Sequence, residues 1–416
     1  MLPLIALSAM AHQSEDWTSK IKDPEVRAGF AAAVSLNMLP SADEKAYPGH
    51  FYINADGGGY GSDTTWPGLD SWQMAGAYLL LGKTRIVSDY FDFVRASQRK
   101  DGNIPFAIFS GDTRPGSTYL RGMKWPDDQF TYKPPVLEGL PESSRQTRQW
   151  VGLFRHWEIE SNPLGTLGPI CYLMTAKEIY QATKDKGWLK DHLPSVERCA
   201  EYLQTQISGN GLLSGSGFYT ELPPRIGWDG VTQCYAVNSF RDVAELERAT
   251  GRTQVARQWE GRANALAKSF GKAFWMGDHF AEYIHPTHGP VDIHGLSDTN
   301  WAAIAFGLAT RSQTKTLWPK LRADKAFWWG SVPTLPVTKP FAYEPWENEN
   351  VPFETSPKTN DVASMGRCWY LEALACGRMG DTARLVEGAR LAGCGKRQKS
   401  SCPLGVAWKS RLYVDL

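Results

Sequence analysis

The chain of 416 residues lacks any apolar run of the roughly 18 to 20 residues that a membrane span needs, so no membrane partner is expected. It also lacks an excess of either charge: 45 Lys+Arg stand against 44 Asp+Glu, a formal net charge of +1. No polyanion partner follows from that balance, and nucleic acid is not expected as a ligand. Seven cysteines are present (Cys171, Cys199, Cys234, Cys368, Cys376, Cys394 and Cys402), yet none stands in a C-x-x-C pair. Zinc ribbons and thioredoxin-type sites are therefore not expected. There is no Walker loop and no G-x-S-x-G elbow, and the glycine-rich stretch at 56–61 does not open the helix of a βαβ unit, which leaves no phosphate cradle.

What the sequence has in abundance is aromatic surface, with 17 Trp, 16 Tyr and 17 Phe. Most of these rings suit a large helical core, and the surplus indoles suit the flat, amphipathic faces of sugar rings. The first eleven residues, MLPLIALSAMA, have the apolar character and the A-x-A pattern (Ala9, Ala11) of an export signal, without its basic start. Residues 1–22 are read as a signal remnant and lead-in, which points to a secreted or periplasmic protein, with a cytoplasmic one as the alternative. The short spacing of Cys394 and Cys402 would allow a local disulfide, in keeping with export.

Helical periodicity dominates from Asp70 onward, and the helices come in pairs. The pairs are 70–81 with 84–99, 163–183 with 188–207, 231–250 with 253–275, 297–310 with 312–321, and 360–376 with 381–391. After one long insertion their starts recur at about 65 residues, an internal repeat of helical hairpins. The first helix of a pair is apolar on nearly all sides, as in WAAIAFGLA (301–309), whereas the second mixes charge with an apolar stripe. With a helix over 23–38 and an element near 407–412, the pattern predicts an all-α (α/α)6 toroid filling 23–416 as one domain. An open helical solenoid is the alternative.

Long connections rich in Gly, Pro, Trp and charge separate the hairpins, and loops of that length in a compact domain are usually functional. Asp63 to Gln73 places Asp70 between Trp66 and Trp72; Asp70 caps the following helix or binds a ligand directly. Glu221 to Gly230 contains Arg225, Trp228 and Asp229 directly before a helix. An acid beside an indole is partly desolvated, which favours its protonated form, while capping is the plainer role for Asp229. The stretch 343–354 crowds Glu344, Glu347, Glu349 and Glu354 together with Tyr343, Trp346 and Phe353, and one of these glutamates is suited to activating water. His279, His285, His288 and His294 lie close in sequence, but their spacings fit no H-x-x-x-H ligand pair, so neither a metal nor another cofactor is expected.

These stretches resemble the six-hairpin glycosidases. TTWPGLDSWQ…QRKDGNIP is similar to the first hairpin of α-L-rhamnosidases and of glycogen-debranching glucosidases, and GWDG with its following helix resembles the acid-bearing segment of debranching enzymes and trehalases. HGLSDTNWAAIAFGLA resembles the fourth rhamnosidase hairpin, and Trp346-Glu347 the W-E that carries the base. The likeness spans about 70–377. The acid-rich D-E-R upstream of the rhamnosidase opening is absent, as is the D-x-G-T signature of debranching enzymes.

The resemblance implies an inverting, exo-acting glycoside hydrolase with Asp229 as acid and Glu347 as base. Trp66, Asp70, Arg225, Trp228, Trp346 and Glu344 would hold a terminal sugar of an oligosaccharide, polysaccharide or glycoside. Two other classes compete: a polysaccharide lyase using His156 or Tyr219 on a uronate, and a carbohydrate-binding toroid without catalysis.

Overall fold

The structure, a computed structural model, describes residues 20–43, 52–53, 64–65, 67, 72–104, 107–110, 149–152, 166–215, 225, 227–323, 328–329, 332–333, 344–348 and 366–395. Trp66, Asp70, His156, Tyr219, Glu221, Glu349, Glu354, Cys402, the first nineteen residues and the segment 407–412 lie outside them.

Among the described residues eleven α-helices occur: α1 (Pro24–Ala33), α2 (Trp72–Leu80), α3 (Thr84–Ala96), α4 (Leu167–Thr183), α5 (Lys186–Thr205), α6 (Gly230–Ala249), α7 (Thr253–Phe274), α8 (Asp298–Ala305), α9 (Arg311–Ala323), α10 (Gly366–Met379) and α11 (Thr382–Gly395). Five hairpins result, α2–α3 through α10–α11, and the first helices of successive hairpins pack side by side in the order α2, α4, α6, α8, α10. Burial follows the expected layering. Every residue of α8 is buried, as is every residue of α4 from Leu167 to Ala176. In α5, by contrast, burial recurs at Leu189, His192, Leu193, Val196, Cys199, Ala200 and Leu203, the single stripe of an outer helix. The first and last of the described helices, α1 and α11, pack against each other, fastened by an Arg390–Asp23 ion pair.

Local chemistry sets the helix ends. The carboxylate of Asp23 accepts from the amides of Glu25 and Val26, and Pro24 follows it, so α1 starts there. The helix expected over 23–38 changes to a π-turn at Val34–Met38. Asp185 accepts from Trp188 N at 2.9 Å, which starts α5 at Lys186, two residues before the expected Trp188. The apolar run WAAIAFGLA is helical only to Ala305, because Gly307 takes a left-handed φ of +67° and turns the chain out.

The 276–296 connection holds an element that periodicity missed. Earlier in the chain stand the short strands β1 (Ala42–Asp43), β2 (Tyr52–Ile53), β3 (Thr64–Thr65), β4 (Ala107–Ser110) and β5 (Gln149–Gly152), followed by β6 (Trp228–Asp229). Strands β7 (Tyr283–His285) and β8 (Gly289–Val291) form a hairpin, and β7 also pairs antiparallel with β6, with Asp229 opposite Tyr283. This three-stranded sheet sits across the N-terminal ends of α6 and α8. The carbonyl of Glu282 accepts from both Gly230 N (3.0 Å) and Thr299 Oγ1 (3.0 Å), so the two helix starts and the strand meet at one residue. Among the described residues no helix is long and apolar enough to cross a membrane.

Glycine at 230 is required by that meeting, since a Cβ there would lie 2.3 Å from Thr299 Cγ2 and 2.9 Å from the Glu282 carbonyl oxygen. Gly230→Ala is expected to destabilise the protein by about 1–3 kcal/mol through overpacking, read as a lower denaturation midpoint. Thr299→Ser in the same chain should recover part of the loss.

Candidate active site

Arg225 is 3% exposed and points each of its three guanidinium nitrogens at a different carboxylate. Nη1 donates to Asp229 Oδ1, Nε to Glu282 Oε1 and Nη2 to Asp298 Oδ1, each at 2.8 Å. The carboxylates come from separate elements: the N-cap of α6, the residue before β7 and the first turn of α8. Asp229 also accepts from Thr232 N at 2.5 Å, so it performs the capping role as well. Both aspartates stand at helix N-termini, where the aligned peptide dipoles favour negative charge.

The network continues beyond Arg225. Glu282 Oε2 is 2.8 Å from His294 Nδ1, and His294 Nε2 is 3.4 Å from Glu347 Oε2. Glu347 lies on a single 3₁₀ turn, Pro345–Asn348, and is 1% exposed. Its Oε1 accepts from the Tyr283 hydroxyl at 2.8 Å and its Oε2 from Glu344 N at 2.9 Å. The two carboxylates predicted from sequence, Asp229 and Glu347, are thus ends of one buried chain of ion pairs through Arg225, Glu282 and His294.

Four carboxylates face two cations here, and the proton affinities reflect that imbalance. Burial pushes Asp298 up to about 7 against the pull of Arg225, with the neighbouring charge of Asp229 adding to the push. Asp229 is also raised by burial, in spite of Arg225. Burial alone would raise Glu282 too, but Arg225 and His294 outweigh it and hold that carboxyl below its usual range. Burial disfavours a charged His294, yet Glu282 and Glu347 lift it to about 9. Oδ2 of Asp298 has no hydrogen bond among the described residues.

The remaining predicted site residues are placed as follows. Trp228 is half-buried against the core, and its indole N–H donates to Ser208 Oγ at 3.1 Å. Trp346 stacks on His288 (centroids 4.2 Å apart, 18° between planes) and meets His285 edge-on at 5.2 Å, which sets an aromatic cluster beside Glu347. The Glu344 side chain is exposed; its contribution to the network is its backbone amide. Arg225, expected to hold sugar, holds three acids. Sequence reasoning missed Glu282, Tyr283 and Asp298 and considered His294 only as a metal ligand. Among the described residues no three His, Cys, Asp or Glu side chains are arranged to hold a metal ion. A cleft of about 490 Å³ lies elsewhere, in the outer layer between α5 and α7, and shares no residue with this network.

Residues 169–325 match the model of the bacterial alpha-L-rhamnosidase six-hairpin glycosidase domain, a stretch that runs from α4 through α9 and includes Arg225, Asp229, Glu282, His294 and Asp298. Glu347 lies beyond it. Among solved structures the chain resembles a rhamnosidase from Klebsiella oxytoca with rhamnose bound, at 12% identity and TM-score 0.49 over 86% of this chain and 64% of that one. It resembles the mannosylglycerate hydrolase of Thermus thermophilus in complex with glucose, at 12% identity and TM-score 0.49 over 81% and 84%. A Bacillus rhamnosidase follows at 16% identity and TM-score 0.43, covering 63% of this chain. The chain spans 24% of the length of that enzyme and of the Dictyoglumus thermophilum rhamnosidase. A comparison with curated proteins finds no match. The matched domain and the helical hairpins define the class: a helical, six-hairpin glycosidase-type fold with a rhamnosidase-like domain.

Two outcomes follow from the charge network. Arg225→Met leaves three buried carboxylates without their cation and should cost about 3–5 kcal/mol at pH 8. The loss should shrink at pH 5, below the value of about 7 to which Asp298 is raised, because that carboxyl takes up a proton there; denaturant titration at both pH values reads it. His294 binds its proton more tightly folded than unfolded, so its contribution to stability is complete below about 6.5 and is lost as pH rises through about 9. Melting temperature should therefore fall across that window, and His294→Gln should flatten the fall.

Proposed function

We propose that the chain is an inverting, exo-acting glycoside hydrolase that releases a terminal sugar, of the α-L-rhamnoside or α-glucoside type. The observation that carries this reading is the buried network that links an acid of raised proton affinity, Asp229, to a carboxylate on a distant segment, Glu347, through Arg225, Glu282 and His294. Inversion needs one carboxyl group as acid and a second as base on opposite sides of the scissile bond. Glu347 takes a proton from water as the water oxygen bonds to the anomeric carbon. The bond from that carbon to the leaving oxygen breaks, and that oxygen receives the proton of the acid.

Asp229 is the acid in this reading. Asp298 is the second candidate, because it shares the same guanidinium, has an oxygen without a hydrogen bond among the described residues and holds its proton up to about 7. Arg225 serves as the counter-ion of both. Trp66, Asp70, Trp228 and Trp346 receive the sugar, and the residues supply the acid and base without a metal.

The test is a screen of aryl glycosides, α-rhamnoside and α-glucoside first, with the anomer of the released sugar followed by NMR. An inverted product and turnover unchanged in EDTA are expected. Glu347→Gln should lower kcat by about 10²–10⁴-fold whatever the leaving group. Asp229→Asn should spare activated leaving groups more than natural ones, and if Asp298→Asn shows that pattern instead, Asp298 is the acid. A rise in ultraviolet absorbance during turnover would identify a lyase, and sugar binding without turnover a carbohydrate-binding toroid.

A further inference from the structure

Glu347 has little scaffold of its own, because a single 3₁₀ turn cannot fix a side chain as a long helix does. Among the described residues its orientation comes from two hydrogen bonds and one ion pair. Tyr283 Oη meets Oε1, while Glu344 N and His294 Nε2 meet Oε2 at 2.9 and 3.4 Å. An ionised carboxylate offers about two lone-pair positions on each oxygen, and among the described residues Oε1 accepts one hydrogen bond, which leaves its second position open. His294 is itself held from behind, since its Nδ1 meets Glu282 Oε2 at 2.8 Å and the other oxygen of Glu282 is occupied by Arg225. His294 is 5% exposed and Glu282 1%, so neither ring nor carboxylate is placed by solvent.

We propose that His294, clamped by Glu282, is a positioning residue for Glu347, holding Oε2 so that the open lone pair of Oε1 faces the attacking water. The inference rests on the reading of Glu347 as the base. Among the described residues the charged groups that face His294 are Glu282, from the run into β7, and Glu347, from the 3₁₀ turn; Arg225 stands behind Glu282 and carries Asp229 and Asp298 on its other nitrogens. Tyr283 faces Glu347 from β7. The two carboxylates keep His294 charged up to about 9, so at neutral pH it is an imidazolium with an N–H on each nitrogen, one for each acid.

Two measurements test this, one of them independent of turnover. The first is an NMR titration of the His294 imidazole in the wild-type chain and in Glu347→Gln. The wild-type ring should hold its proton to near pH 9, and the variant, with one of the two facing charges removed, should release it at lower pH. A titration that does not move on Glu347→Gln shows that the two groups are uncoupled and overturns the proposal, whether or not the chain cleaves a glycoside.

The second is kinetic, with the aryl glycoside that the wild-type chain turns over. His294→Ala should lower kcat by about a hundredfold with KM nearly unchanged, the cost of a misplaced catalytic group. His294→Gln, which keeps an N–H at the reach of Nε2, should recover part of kcat and remove the alkaline fall of activity near pH 9. If the alanine variant fails to fold, the glutamine variant carries the test through its pH profile. Unchanged kcat, or an alkaline limb that persists in His294→Gln, overturns the proposal. A coupled titration in a chain that cleaves no glycoside supports the contact and sinks the hydrolase reading instead.

Discussion

The interior of this molecule is organised around one guanidinium group. Arg225 is planar, permanently charged and nearly without solvent, and only a set of carboxylates in its plane and at hydrogen-bond distance makes its burial tolerable. It finds them on three elements that are far apart in sequence, so the start of α6, the approach to β7 and the start of α8 are held in one register. An apolar cluster in the same place would stabilise the contact as well or better. What the ion pairs add is direction, since the planar fork of N–H donors holds each carboxylate along a fixed line.

The helical layers bring the acids to that point. The first helices of the hairpins are buried on nearly all sides, so functional groups on them are confined to the ends. At the N-terminal ends of α6 and α8 the free amides and the peptide dipoles favour carboxylates. Asp229 meets both demands, capping α6 through one oxygen and Arg225 through the other. The structural and the chemical reading of this residue are therefore compatible, and the W-D-G motif marks both.

Legibility in the sequence followed the length scale of each interaction. The hairpins were readable because each helix repeats its apolar pattern over several turns, and their order gave the neighbours α2, α4, α6, α8 and α10 correctly. Glu347 was visible only through its likeness to a W-E pair, as nothing within 343–354 ranks one glutamate above another. The sheet β6–β7–β8 was missed because its strands are two and three residues long, too short for alternation to register. With it went Glu282 and Tyr283, whose importance comes from the strand pairing. Pro286 and Gly289, bracketing Thr287 and His288 between aromatic and β-branched residues, are the hairpin signal that would have found them. His294 stood in plain view, but its partners lie 12 and 53 residues away, and a spacing rule for metal ligands looks only nearby.

The packing of α1 on α11 bears on how the chain folds as it is made. The Asp23–Arg390 contact spans 367 residues, so it cannot form until Arg390 has left the ribosome. The intervening hairpins contain mainly local contacts and can assemble in sequence, each on its predecessor. During that time the first helix waits with its packing face unfilled, and the entropy of closing so long a loop is repaid only once the earlier hairpins have drawn the two ends together. Seam closure is thus the last step in assembling these helices, and the interval before it is when the nascent hairpins depend most on protection from their neighbours.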